Sequence, residues 1–515
     1  MQTSDKVIIN TAILYAQLVI GMAIGLFTTR IVLDALGEIN YGVYMLVAGV
    51  VGMLGILNSN MTNTSMRYIA HSLGTGNKDT VCKTFNTTLF LHFIIGAIAV
   101  ILMQIGGWLI FDHLLNIPPD KVFDAKVVFQ FMIFSTFITV ISVPYDAVMN
   151  AHENMLALSI VDFIGYILRL GAAIYLTLSN ANLLILYGFL MLIIQVLLMI
   201  IKQWYSKVKY DECRVRFRAY VDKTMIKALL SFTTWDLFGS IGSLSVTQIR
   251  GIILNMFFGV SLNAAQGIAQ SASASVNMIS GSMTRAINPQ LTKSEGSGNR
   301  QRMLYITEIS TKYSVFLFAL FAIPVLLEAE YLLNFWLKDV PEYAVVFCQL
   351  SLITMFIENF TLQISQAIRA VGTIRRFQVT ETLFRILNIP LAYLIFKVGY
   401  QPYYIYIIGG FVSLTVFVNR LYFGKKITEL RIFAFVKNAM IPVFFPLAIS
   451  LSGALILHFY LNEGLIRLLL VTFVFLILLI NSFWQIGVTH DEQKTFISIM
   501  HSVHDRVSRL NNKVK

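Results

Sequence analysis

Charge is scarce in this chain of 515 residues: Asp, Glu, Lys and Arg together make up 13% of it, where an ordinary soluble domain carries about 25%. A chain with so few charges cannot clothe a water-soluble fold of this size. Cysteine is scarcer still. Cys82, Cys213 and Cys348 stand far apart, with neither paired nor metal-ligand spacing, which excludes a disulfide framework and a zinc site. Several motifs are missing too. There is no P-loop pattern and so no sequence basis for ATP hydrolysis, no H-E-x-x-H zinc motif and no G-x-S-x-G nucleophile elbow. The D-x-D pair that metal-dependent sugar transferases often use is absent as well, and His152-Glu153 lacks a second His at zincin spacing. It reads as a solvated pair at a helix end. The chain is therefore not expected to be an enzyme or to need a cofactor or metal.

What is present is apolar: 57% of the residues are hydrophobic, and mean hydropathy is +0.72. These residues arrive in runs of about 20, the length one helix needs to cross a hydrocarbon core of about 30 Å. Only helices satisfy their own backbone over such runs, so the predicted fold is an all-α polytopic membrane protein. Fourteen spans are predicted, at 8–29, 40–61, 85–110, 127–148, 155–178, 182–202, 229–258, 262–285, 305–327, 345–368, 377–397, 402–423, 439–459 and 465–486. The first run, Val7 to Thr29, lacks a short apolar core followed by a cleavage site and reads as a retained span.

The net charge of +12 could suggest nucleic acid, but its distribution argues for topology instead. Most of the 39 Lys and Arg fall on loops of one face, with only Arg30, Lys121, Lys126, Lys338, Lys397 and Arg467 assigned to the other. By the positive-inside rule the basic face is cytoplasmic, and an even number of spans places both termini there. The expected location is a bacterial inner membrane, with contact to anionic lipid head groups. Loops on the other face are too short to house a catalytic domain.

The chain also carries signs of duplication. Leu36-Gly37 before the second span matches Phe258-Gly259 before the eighth, an offset of 222. Gly74-Thr75-Gly76-Asn77-Lys78 matches Gly296-Ser297-Gly298-Asn299-Arg300 at the same offset, and Asn150-Ala151-His152 falls near Ala370-Val371-Gly372 at 220. Six spans per copy give the copies one orientation, related by an axis along the membrane normal. The expected organisation is an N-terminal lobe of six helices (1–202), a basic cytoplasmic linker (203–228), a C-terminal lobe (229–426), an appended helix pair (427–486) and a cytoplasmic tail (487–515).

Polar residues inside the spans are the candidate functional groups. In the eighth span Asn263, Gln266, Gln270, Ser273, Asn277, Ser280 and Thr284 alternate at spacings of three and four, one stripe along the whole helix. Such a stripe cannot face lipid. It either joins packed helices by hydrogen bonds or walls a hydrated cavity, where amides and hydroxyls suit sugar hydroxyls. Asn60, Asn63 and Arg67 share a face at the end of the second span, close enough to the interface that solvation is an equal reading. Charges within spans cost roughly 2.5–3.5 kcal/mol each at mid-helix. Arg169 in the fifth span and Arg250 in the seventh are the hardest to explain as structural, and buried cations would attract an anionic substrate. Arg30 and Lys312 lie near enough to interfaces to snorkel. Asp162, Asp236 and Glu358 are the carboxylates that could couple transport to a cation, and Glu381 and Arg385 are spaced to pair on one helix.

Leu36-Gly37 with Tyr41-Gly42-Val43-Tyr44, Asn263-Ala264-Ala265-Gln266-Gly267-Ile268-Ala269 and Asn288-Pro289-Gln290-Leu291-Thr292-Lys293-Ser294, together with Pro144-Tyr145 and Asn150-Ala151-His152-Glu153-Asn154, resemble the polysaccharide and lipid-linked oligosaccharide flippases. These belong to the multidrug/oligosaccharidyl-lipid/polysaccharide exporter superfamily. The resemblance extends over nearly the whole chain in helix count, order and loop size. It implies two six-helix lobes around a central cavity, alternating access, and an undecaprenyl-pyrophosphate-linked oligosaccharide as substrate. It also implies that cavity arginines hold the phosphates, a role matched to Arg30, with Arg250 and Arg285 in support by location. The expected partners are that lipid-linked glycan, membrane lipids and a downstream glycan polymerase. Nucleic acid is not expected, and nothing requires more than a monomer. A cation-coupled multidrug antiporter of the same superfamily is the alternative, but it would usually place an acidic residue in the first span, and Val7 to Thr29 has none. A membrane-embedded glycan polymerase and a scaffold without transport activity are further rivals. The first would want a large external loop.

Overall fold

The structure, a computed structural model, describes residues 3–52, 61, 65–66, 68–69, 72–73, 77–152, 154–222, 225–227 and 245–494. Among these the protein is all helix. The main elements are α1 (Thr3–Gly52), α2 (Lys78–His113), α3 (Val122–Ala151), α4 (Met155–Leu178), α5 (Leu183–Lys209), α6 (Arg250–Phe258), α7 (Ser261–Gly296) and α8 (Arg300–Leu327). They continue with α9 (Ala329–Trp336), α10 (Ala344–Val371), α11 (Arg375–Ile386), α12 (Asn388–Lys397), α13 (Tyr404–Phe423), α14 (Ile441–Tyr460) and α15 (Leu465–Ser482).

Among the described residues 11 helices are long and apolar enough to cross a membrane, fewer than the fourteen spans predicted. The difference has three sources. The first two predicted spans both fall in α1, whose two helical segments meet at a sharp bend at Gly37 and count here as one. Most of the seventh, 229–258, lies outside the described residues. The eighth is α7, a 36-residue helix whose polar stripe makes it too hydrophilic to count by composition.

The turns show why the helices begin and bend where they do. Gly37 has φ 72° and ψ 168°, and Gly259 has φ 82° and ψ −173°, a region open essentially to glycine alone. The two glycines matched by the offset of 222 thus make the same bend. Asn77 caps α2 by accepting from the amides of Asp79 and Thr80, and Asn299, its counterpart at the same offset, caps α8 by accepting from that of Arg302.

The chain folds as two compact units, one of Met1–Ala272, Trp336–Cys348 and Gln378–Val412, the other of Ser273–Phe335, Gln349–Phe377 and Ser413–Lys515. The first is centred on Val43, Leu46 and Val47 of α1, packed against Val128, Phe129 and Ile133 of α3 and Leu184 of α5. The basic stretch after α5 is fastened to this unit. Asn86 on α2 donates to the Arg214 carbonyl at 3.1 Å and accepts from the Arg216 amide at 2.7 Å, and Thr87 does the same between Tyr220 and Asp222. Cys213 is fully buried there, and burial, with Glu212 adding to it, pushes its thiol pKa upward.

In the second unit α14 and α15 pack on α8 through Val315, Ala319, Leu447, Ala454, Val471 and Phe475. Ion pairs pin both ends of that contact. Glu328, with no exposed surface, accepts from His458 Nδ1 at 2.8 Å and from Arg467 Nε at 3.0 Å. Lys312, 2% exposed, donates to Glu492 at 2.6 and 2.7 Å and to the Gly487 carbonyl at 3.0 Å. Lys312 therefore does not snorkel to an interface.

Candidate functional site

The second half of α1 passes between two cavities of the first unit, and Ala48 lines both. Its path is set by small residues. A Cβ on Gly42 would stand 2.1 Å from the Val260 carbonyl oxygen, and one on Gly267 would stand 2.7 Å from the Met45 side chain. Only glycine at these positions lets α1 and the start of α7 meet so closely.

The smaller cavity, about 110 Å³, is lined by Gly49 of α1, Gln248 and Gly251 near the start of α6, and Asn263, Gln266 and Gln270 of α7. A π-helical turn at Ser245–Ile249 precedes α6, a wide geometry common at functional sites. Gln266 Nε2 donates to the Thr247 carbonyl at 3.1 Å, and Asn263 Nδ2 to that of Gly251 at 2.9 Å. Each amide spends its donor holding α7 to this segment. Their oxygens, Asn263 Oδ1 and Gln266 Oε1, are buried without a hydrogen-bond partner. Such an oxygen costs about 1–3 kcal/mol until a donor reaches it. Gln270 is exposed at the same cavity.

The rest of the polar stripe belongs to the second unit. Ser273 is buried and Asn277 exposed. Thr284 accepts from Gln363 of α10 at 2.9 Å. At its two ends the stripe joins helices, while Gln270 and Asn277 between them are exposed. Ser280 and Arg285 lie on the described backbone of α7, but their side chains are outside the described set. Asn60, Asn63, Arg67 and Asp236 lie outside the described residues.

The larger cavity, about 300 Å³, lies among α1, α3, α4 and α5 and holds Arg169, with Tyr44, Ser135, Thr136, Thr139 and Gln195 on its walls. No carboxylate pairs with Arg169 among the described residues. Asp162, a heptad earlier, instead accepts from Gln17 Nε2 at 2.7 Å, and Ser159 donates to Gln17 Oε1 at 2.6 Å. Arg250 lies elsewhere in the unit, its guanidinium 4.1 Å from the centre of the Tyr406 ring of α13. Its Nε is buried without a hydrogen-bond partner. Gly409 leaves it room, since a Cβ there would come within 3.1 Å of Nη2.

Arg30 is exposed at a crevice of about 70 Å³ beside Asp34, Gly37, Glu38, Lys338 and Asp339. Lys338 pairs with Asp34 at 3.2 Å, and Trp336 Nε1 donates to the Leu26 carbonyl at 2.9 Å. Glu358, in the second unit, accepts from Ser413 at 2.9 Å. Glu381 and Arg385 form the predicted pair, at 3.2 Å. The described residues therefore gather Asn263, Gln266 and Gln270 at one cavity and leave Arg30, Arg169 and Arg250 at three separate places. Sequence reasoning missed Tyr44, Ser135 and Gln195 beside Arg169, because single hydroxyls and amides in apolar spans form no pattern. The partners of Glu328 were missed for another reason: they lie 130 and 139 positions away.

Residues 8–175 match the MatE family. A search of curated protein sequences finds no match to the chain. The fold, however, is shared with solved membrane proteins. A structure described as lipid II flippase MurJ, inward closed conformation, superimposes with a TM-score of 0.69 over 92% of this chain and 98% of that one, at 12% identity. An outward-facing multidrug resistance MATE family transporter of the MOP superfamily does so with a TM-score of 0.56 over 83% and 97%, at 17% identity. An inward-facing one gives 0.56 over 81% and 96%, at 16% identity. Identities this low establish the all-helical architecture that these proteins share with the chain.

Proposed function

We propose that this protein is a transporter that carries a lipid-linked oligosaccharide from the cytoplasmic to the outer leaflet of a bacterial inner membrane, for cell-surface polysaccharide synthesis. The observation that carries this reading is the amide-lined cavity at α1 and α7. Two buried amide oxygens there lack donors, Gln248 and Gln270 add further amides, and glycines open the space. Neutral donors and acceptors beside small residues suit sugar hydroxyls better than a hydrophobic cationic drug. The shared fold with a protein described as a lipid II flippase points the same way.

In this reading the lobes 1–202 and 229–426 rock to give alternating access, and both termini are cytoplasmic. The undecaprenyl-pyrophosphate head meets Arg285, Arg250 and Arg30 in turn while the prenyl tail stays in lipid. No chemical step is catalysed. A downstream polymerase receives the product, and the protein works as a monomer.

The test is export in a deletion strain carrying either the wild-type gene or none. Loss of surface polymer, with the lipid-linked intermediate trapped on the cytoplasmic side, is the expected result. Normal polymer with increased sensitivity to cationic drugs would replace this reading with a cation-coupled multidrug antiporter; two of the structures that share the fold are described as multidrug resistance transporters.

A further inference from the structure

Arg169 presents a charge that the described protein does not balance. Its guanidinium stays protonated in any protein setting and offers five donors. Among the described residues it makes no hydrogen bond and no ion pair, although it lies inside a helix bundle that crosses the membrane. Tyr44 shares the cavity wall, its ring 4.6 Å from that of Tyr187. Asp162 is about 10 Å away along the helix and is engaged with Gln17.

Two other groups on the same cavity wall are also unspent. Ser135 Oγ and the Gln195 amide make no hydrogen bond among the described residues, and both line the space of about 300 Å³ that Arg169 faces. Thr136 and Thr139 differ, since their hydroxyls already donate to the Met132 and Ser135 carbonyls at 2.9 and 2.8 Å. One cation and two neutral donors thus converge on a void large enough for a small ligand and several waters.

We infer that this cavity is a binding site for a small monovalent anion, held by Arg169, Ser135 and Gln195. Charge decides the class. One guanidinium neutralises one negative charge. A pyrophosphate diester brings two, and among the described residues the lining offers no second cation for the other. In a low-dielectric bundle that excess charge would be strongly unfavourable. A monovalent anion closes the balance and supplies acceptors for all three donors. This inference is independent of the substrate proposed above, because the site is a different cavity from the amide-lined one.

The experiment is thermal unfolding of the full-length protein in nanodiscs of neutral lipid at constant ionic strength. Chloride replaces lactobionate, a monovalent anion too bulky for the cavity. The wild-type Tm should rise saturably, by about 1–3 °C when chloride is near ten times its dissociation constant. Arg169→Gln should lose this dependence and, in lactobionate, unfold no lower than the wild type. The double variant Ser135→Ala/Gln195→Leu keeps the cation and should need several-fold more chloride for half the effect. A wild-type Tm indifferent to chloride would overturn the inference, as would an unchanged response in Arg169→Gln. If Arg169→Gln does not fold, an unchanged half-effect concentration in the double variant would do the same. Inorganic pyrophosphate at matched ionic strength forms a further arm. Stronger stabilisation by it than by chloride, lost in Arg169→Gln, would assign the site to a phosphate headgroup and end the monovalent reading.

Discussion

Cations set within the helices are held in two different ways. In the second unit, Lys312 and Arg467 lie against carboxylates that are themselves largely or wholly buried, Glu492 and Glu328, and the pairs join helices far apart in sequence. In the first, Arg385 is likewise paired, with Glu381, but the half-buried Arg169 and Arg250 have no carboxylate partner among the described residues. One faces a cavity and the other a tyrosine ring. A buried cation with its counter-ion in place is a fastening. A cation within the bundle that lacks one carries a desolvation cost, which makes it a candidate for function.

The comparison can be tested by removing one group at a time. Glu328→Ala should have the largest effect, because it leaves Arg467 and His458 buried without their anion. A loss of about 3–5 kcal/mol is expected, read as a drop in unfolding temperature and in the yield of monodisperse protein. Lys312→Met should cost less, about 1–3 kcal/mol, since Glu492 keeps some access to water. Adding Glu492→Gln to it should recover most of that loss, because apolar or neutral replacement of a whole buried pair is often tolerated. If the double variant is as unstable as the single one, the pair is not a self-contained fastening. Arg250→Met should be the mildest for stability, within about 1 kcal/mol, yet abolish polymer export in the complementation assay. A large stability loss with export intact would place Arg250 among the fastenings and erase the contrast.

Cys213 offers a finer check on how firmly the segment after α5 is held. Its thiol is buried, and its pKa is shifted upward by that burial and by Glu212, so little thiolate forms at neutral pH. It should resist a hydrophilic thiol reagent in the native protein and react after unfolding, followed by mass spectrometry. Native reactivity would mean that the contacts of Asn86 and Thr87 do not persist.

Much of the fold is legible in local sequence because the bilayer imposes a strong rule: a run of about 20 apolar residues can only be a helix. The repeat was legible at its turns, though the bends there were not. Gly37 and Gly259 stand at matched positions and take the same glycine-only conformation. The polar stripe was visible from its spacing, but its spacing could not divide it. Asn263 and Gln266 hydrogen-bond to the segment around α6, while Gln270 stays exposed, a difference set by what packs beside each turn.

The sequence by itself determined that this is an all-helical membrane protein, where most of its helices run, and which polar residues lie within them. Those properties depend on near neighbours along the chain and on the surrounding solvent. Only the tertiary structure decided which of those polar groups are satisfied. Lys312 meets Glu492 from 180 residues away, and Arg169 meets a cavity instead of an anion. Electrostatic energy depends on distance in space, and helix spacing fixes distance only within a single helix.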